Sequence, residues 1–279
     1  MALSTAMFSG FVAISGRCGQ GTAFADRHSP VTLGDVHSRI IALFVAAAAG
    51  LAAVTVTGCK LTSRTQARAD VGAEVLFNGK DLTGWAGLPD HWQVEDGNLT
   101  GYTTAENPLK NNTFLVWTNG VVDNFELRFS YRIFHGNSGV QYRSALVDVE
   151  KFIVGGYQAD FEAGQTYSGI LYEERGRGIL AERGLRTHIV DQDNRTQVQV
   201  LGRLADSAAL QANIHDEDWN DYLIIADGNH VQHFINGRCT ADVVDDGAKA
   251  PKSGIVALQI HVGAPMKVQF RNLKLKRRP

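Results

Sequence analysis

Cysteine is scarce. The 279 residues hold three, Cys18, Cys59 and Cys239, and an odd, scattered set excludes a disulfide framework. An excess of charge is also lacking: 27 Lys and Arg against 29 Asp and Glu leave a formal net charge of −2. There is no basic field to hold a phosphate backbone, so nucleic acid is not an expected partner. Proline is rare, 6 residues against 29 glycines, which predicts tight turns rather than a disordered chain. His188, His215, His230, His233 and His261 do not fall at zinc spacing, and no Gly-rich phosphate loop occurs. No metal site and no cofactor are therefore assigned, while a calcium ion bound by Asp and backbone oxygens stays open.

Long apolar runs are missing too, with one exception. "IIALFVAAAAGLAAVTVTG", residues 40–58, carries no charge, follows Arg39 and ends at Cys59. A basic flank, an apolar run and small residues before a boundary describe an export signal. "VTGC" resembles the lipobox of bacterial lipoproteins, which implies a lipid on Cys59 and an envelope location, periplasmic or outer-surface facing. The alternative is an uncleaved membrane helix, since about 20 apolar residues span a bilayer. The stretch before Arg39 is long and polar for a signal, so translation is expected to start near Val31 or Val36, leaving Cys18 outside the protein. Residues 1–58 are thus assigned to the signal segment, 59–73 to a polar tether, and 74–279 to one folded domain.

That domain reads as antiparallel β. "HWQVEDGNLTGY", "YLIIADGNHVQHFI" and "HFINGRCTADVV" place Asp96-Gly97, Asp227-Gly228 and Asn236-Gly237 between short apolar runs. Such pairs supply the positive φ angles of two-residue hairpins. "FELRFSYRIF", Phe125–Phe134, alternates apolar and polar residues, a last strand runs from Lys267 to Lys276, and only Asp206–Asn213 looks helical. No βαβ alternation appears. About a dozen strands predict a sandwich of two antiparallel sheets with little helix.

Three strands share an unusual phase. "SGVQYR" sets Gln141 and Arg143 opposite Val140 and Tyr142. "GYQADF" sets Gln158 and Asp160 opposite Tyr157, Ala159 and Phe161. "GIVALQIHVG" sets Gln259 and His261 opposite Leu258, Ile260 and Val262. Long polar pairs on one face, each backed by core residues, suit a sheet face that receives a polyhydroxylated ligand. A fourth segment, "LYEERGRGIL", crowds Glu173, Glu174, Arg175 and Arg177 between glycines. Its plain alternative is a salt-bridged loop.

"LFNGKDLTGW", "NSGVQYRS", "GYQADF", "YEERGRG", "DWNDYLIIADGNHVQHFING" and "ALQIHVGAPMKVQFRNLKLK" follow in order. Together with the Trp92 hairpin they resemble the 3-keto-disaccharide hydrolase domain family, over residues 74 to 277. The resemblance implies a concanavalin A-like jelly roll and cleavage of glycosides already oxidised at sugar C3. A ketone at C3 acidifies the C2 proton. Removing that proton and expelling the C1 substituent, then adding water, hydrolyses the glycoside. The chemistry needs a base, donors for the enolate oxygen and an acid for the leaving oxygen. His261 is the first candidate base because imidazole titrates near neutrality. Asp160 is the alternative base or the group orienting the histidine, and Glu173 or Glu174 the acid. Gln141, Arg143, Gln158, Gln259, Arg175 and Arg177 are candidate substrate ligands. Trp85, Trp92 and Trp219 are expected in the core, and His233 and Asn236 in turn structure. A direct glycosidase would pair Asp160 with Glu173 or Glu174. The competing readings are a non-catalytic surface carbohydrate-binding module and an envelope protein that binds a protein partner.

Overall fold

The computed structural model describes residues 71–279. The expected export signal and Cys59 lie outside the described residues, as does all but the end of the tether.

Among the described residues seventeen strands follow one another. The first six are β1 (Glu74–Val75), β2 (Trp85–Ala86), β3 (Trp92–Glu95), β4 (Asn98–Tyr102), β5 (Thr113–Trp117) and β6 (Phe125–Ile133). Next come β7 (Asn137–Asp148), β8 (Ile153–Glu162), β9 (Leu171–Glu174), β10 (Gly178–Ala181), β11 (Leu185–Gln192) and β12 (Arg195–Arg203). The one helix among the described residues, α1 (Ser207–Gln211), is capped by the Asp206 carboxylate, which accepts from the Ala209 amide. The chain ends with β13 (Asn220–Asp227), β14 (His230–Ile235), β15 (Arg238–Asp245), β16 (Ile255–Ile260) and β17 (Lys267–Arg277).

The strands form two sheets. The seven-stranded sheet has the order β10-β9-β8-β7-β16-β5-β2. The ten-stranded sheet has the order β12-β11-β15-β14-β13-β6-β17-β4-β3, with β1 on β17. The fold is a concanavalin A-like jelly roll. One pair departs from the antiparallel expectation: Leu185–Ile189 of β11 runs parallel to Ala241–Asp245 of β15. The chain enters the large sheet there from β10, the edge of the small sheet.

The expected turns form. Asp96 and Gly97 have φ of 50° and 75°, and Asn236 and Gly237 have 48° and 78°, the left-handed pairs that tight hairpins require. In the β13–β14 hairpin the two-residue loop is Gly228-Asn229, between Asp227 and His230.

Alternation explains the core. Phe129, Tyr131 and Tyr222 of the large sheet face Tyr142, Tyr157 and Phe161 of the small one. The Tyr131 and Phe161 rings stack at 3.8 Å between centroids, and Phe125 meets Tyr142 edge-on at 5.7 Å. Each such pair contributes about 0.5–1.5 kcal/mol beyond its burial. Trp85 and Trp92 are buried here as expected. His233 is also a core residue rather than part of a turn. Its Nε2 lies 2.8 Å from the Tyr142 hydroxyl, and burial pushes its pKa down to about 3, so it stays neutral.

Candidate active site

The site stands on the outward face of the seven-stranded sheet. Because Ala159 and Phe161 of β8 pack inward, Gln158 and Asp160 must face outward. In β7, Val140 and Tyr142 point inward and Gln141 outward. In β16 the inward Leu258 and Ile260 leave Gln259 on the same outward face. Strand order β8-β7-β16 makes these segments neighbours, and Gln141 lies directly opposite Gln158. The three glutamines therefore meet.

They form one hydrogen-bonded row. Ser144 Oγ donates to Gln141 Oε1 at 2.6 Å, and Gln141 Nε2 donates to Gln158 Oε1 at 2.7 Å. Gln158 Nε2 donates to Asp160 Oδ2 and to Gln259 Oε1, both at 3.3 Å. Asn137 Nδ2 donates to Asp160 Oδ1 at 2.7 Å. Gly139 makes the row possible: a Cβ there would come within 2.6 Å of the Gln158 side chain. Beside the row, Phe114, Val116, Val154 and Ala257 form a small apolar cluster on the same face, with Phe152 packed against it. The Phe114 amide donates to the Phe152 carbonyl at 3.0 Å, so the β7–β8 hairpin tip folds back over that end.

Asp160 carries the unusual electrostatics. It is 6% exposed. Burial raises its pKa, the Asn137 and Gln158 hydrogen bonds lower it, and the nearby Glu162 and Glu174 carboxylates raise it again. Burial wins, and the carboxyl is pushed up to about 7. Glu174 is half-buried on the next strand. Its pKa is also raised by burial, against the Asn112 hydrogen bond and the positive fields of Arg175 and His261. Asn112 Nδ2 donates to Glu174 Oε1 at 3.4 Å, while Asn112 Oδ1 accepts from the Val262 amide at 2.9 Å. Asn112 thus ties Glu174 to the segment bearing His261.

His261 lies just past β16, which ends at Ile260 rather than continuing to Gly263. It is half-buried, and its Nδ1 lies 2.6 Å from the Val262 carbonyl oxygen. Arg175 is exposed at the β9–β10 turn with φ of 55°.

Three expected site residues are elsewhere. Arg143 has φ of 48° at a bulge between Tyr142 and Ala145. The bulge breaks the two-residue phase that set Arg143 beside Gln141. Its guanidinium instead donates to the carbonyls of Asp123 and Gly228 and to Asn124 Oδ1, at 2.6, 2.7 and 3.1 Å. Glu173 pairs with Tyr157 across β8–β9, and that phase turns it inward. Arg177 follows it: its Nε meets Glu173 Oε2 at 2.5 Å and its Nη2 meets Asp245 Oδ2 at 2.6 Å. The Tyr157 hydroxyl also donates to Asp245. This is a buried ion cluster, not a ligand-facing loop. Trp219 is half-buried rather than in the core, with the Arg271 guanidinium stacked over its ring at 3.8 Å.

Asn112 and Asn137 escaped the sequence reading. Asn137 was legible as the first residue of "NSGVQYRS", two positions before Gly139 in the phase of Gln141. Asn112 precedes its strand and gave no periodic signal.

Among the described residues, no group of three or more His, Cys, Asp or Glu is arranged to hold a metal ion. What the arrangement offers is a carboxyl poised near neutral pH, a second carboxyl with a raised pKa, and a bank of amides.

The model of the 3-keto-alpha-glucoside-1,2-lyase-like domain matches residues 72–276. The chain belongs to that family. Membership makes this a carbohydrate-acting domain of glycosidase type. No curated protein matches the chain. Among solved structures, the domain is similar to a Parabacteroides distasonis protein described as a candidate glycosyl hydrolase, with 21% identity over 78% of this chain and 98% of that one, TM-score 0.48. It is similar to a carbohydrate-binding module from Bacillus subtilis, with 13% identity over 69% of this chain and 95% of that one, TM-score 0.44. It is also similar to a Bacillus licheniformis β-glucanase, with 11% identity over 74% and 99%, TM-score 0.44.

Proposed function

We propose that the domain hydrolyses glycosides bearing a ketone at sugar C3, with Asp160 as base and Glu174 as acid. One observation carries this reading: Asp160, buried and hydrogen-bonded on the outward sheet face, is pushed up to about 7 beside a second carboxyl whose pKa is also raised. A base is most effective when its pKa lies near the working pH.

The Asp160 carboxylate takes the C2 proton, and the C2–H electron pair moves into an enolate whose charge rests on the C3 oxygen. The enolate collapses, the C1–O bond breaks, and the departing oxygen takes its proton from the Glu174 carboxyl. Water then adds at C1 of the unsaturated ketone. Glu174 accepts a proton from that water, and Asp160 returns its proton to C2. The net change is hydrolysis, with both carboxyls restored. The Gln259 Nε2 amide is buried without an acceptor among the described residues. An unpaired donor beside Asp160 suits a ligand oxygen, and leaving it unpaired costs about 1–3 kcal/mol.

His261, the first candidate from sequence, stands next to Glu174 rather than in the Gln158 row. In this mechanism it tunes the acid. A direct glycosidase using the same two carboxyls is the second reading, favoured by the field that Glu174 exerts on Asp160. The test is release of alcohol from matched 3-keto-glucosides and glucosides. The proposed setting is the cell envelope, through a lipid on Cys59.

A further inference from the structure

The proposed reaction needs somewhere to hold the half of the glycoside that departs. A row of residues leads away from Asp160 across the sheet. Gln158 lies opposite Tyr172 on β9, and Tyr172 lies opposite Ile179 on β10. Neighbouring strands are about 4.8 Å apart, so Ile179 stands roughly 10 Å from Gln158, the span of two linked sugar rings.

Ile179 also lines a cavity of about 380 Å³ with Tyr167, Gln165, Glu182 and Arg203, floored by Arg183. That volume is at the small end for ligand sites and suits one ring. Tyr167 is 45% exposed and Ile179 41%. Both are large apolar surfaces left beside polar groups, a combination that fits the C–H face and the hydroxyls of a pyranose. Among the described residues, Glu182 and Arg203 make no ion pair or side-chain hydrogen bond, so their polar atoms remain available.

The loop bearing Tyr167 is held rigid. Glu162 Oε1 accepts from the amides of Thr166 and Tyr167 at 2.6 and 2.9 Å. Arg183 donates to the carbonyls of Gln165 and Ser168 at 2.7 and 2.8 Å and, more weakly, to Thr166 at 3.4 Å. Two buried or half-buried charges are thus spent on fixing one short loop. A preordered aromatic loses little entropy when a ligand binds.

We infer that the Tyr167–Ile179 cavity is a second sugar subsite, which receives the departing pyranose ring of a disaccharide and sets the preference for disaccharides over simple alkyl glycosides. This rests on the proposed reaction only for which half occupies which place.

The test is binding, read by calorimetry on the purified domain with two inert probes, an S-linked glucose disaccharide and methyl glucoside. Neither is turned over by the proposed reaction, so the result is independent of it. The expected result is at least about tenfold tighter binding of the disaccharide, reduced to parity by Tyr167→Ala and partly by Arg203→Ala, with methyl glucoside binding unchanged in both variants. Tyr167 and Arg203 are exposed, so neither variant removes core packing; circular dichroism checks this. Equal affinity for the two probes, no binding of either, or a preference that survives Tyr167→Ala overturns the subsite. If cleavage of 3-keto-glycosides fails while this preference holds, the reaction is wrong and the subsite stands.

Discussion

Asn137 and Asp160 meet across the β7–β8 pair, and the Asn137 amide donates to Asp160 Oδ1 at 2.7 Å. That bond, with the one from Gln158, fixes the carboxyl and favours its charged form. Burial opposes both and prevails. Asp160 therefore enters the folded protein with a pKa near 7 against an ordinary 3.8.

The sign of the stability effect follows. The folded state holds the Asp160 proton more tightly than the unfolded state, so this group favours folding below about pH 4. Its contribution is lost progressively as pH rises from about 4 to about 7. The total is of order 4 kcal/mol. Asp160→Asn removes the penalty. Urea unfolding from pH 4 to 8 is expected to show the variant gaining stability relative to wild type as pH rises. A constant difference across that range would show that burial does not shift Asp160.

The same shift sets the pH–rate profile. With Asp160 as base, kcat/KM on a 3-keto-glucoside rises through about pH 7. Asp160→Asn lowers the rate by about 10²–10⁴-fold and abolishes that limb. A pH profile unchanged in Asp160→Asn would assign the limb to another group.

Glu174→Gln tests the acid. Its loss is expected to be large for a methyl glycoside, whose alkoxide leaves poorly, and within about tenfold for a nitrophenyl glycoside, which needs no proton. His261→Gln, in contrast, is expected to retain more than a tenth of wild-type kcat. Equal losses for both leaving groups in Glu174→Gln would remove its acid role.

Much of this site was legible because β-strands alternate. Buried Val140, Tyr142, Tyr157, Ala159, Phe161, Leu258 and Ile260 dictate that Gln141, Gln158, Asp160 and Gln259 share the opposite face. Where alternation breaks, the faces exchange. Arg143 sits in a bulge, and Gly156, in the same break of register on β8, has φ of 141°, where a Cβ would come within 2.4 Å of Ser144 Oγ. Nothing in "QYRS" announces that break. Glu173 and Glu174 could not be told apart until the β8–β9 register was known, since one residue of slip exchanges the faces. The β11–β12 hairpin was missed because its turn is Asp193-Asn194, with φ of 52° and 59° and no glycine. Its second strand is exposed on both faces, so β12 has no buried alternation to read.

Arg177→Met separates structure from chemistry. Glu173 and Asp245 would be left as buried, unpaired charges, an effect of about 3–5 kcal/mol. Thermal unfolding should register that loss, while kcat/KM per folded molecule below the transition stays within about twofold. A stable variant with greatly raised KM would return Arg177 to the substrate site.

The envelope proposal rests on "VTGC" at the end of the uncharged run that follows Arg39. Cys59→Ser is expected to leave the protein unacylated and outside the membrane fraction, read by fractionation and intact mass. An acyl group on the variant, or none on wild type, would contradict the anchor.

The most direct measurement incubates the purified domain with a 3-keto-glucoside and its unoxidised counterpart, with Asp160→Asn in parallel, and follows the released alcohol. The account predicts release from the 3-keto-glucoside alone, lost by about 10²-fold or more in Asp160→Asn. Equal cleavage of the unoxidised glucoside, or full activity in folded Asp160→Asn, would contradict it.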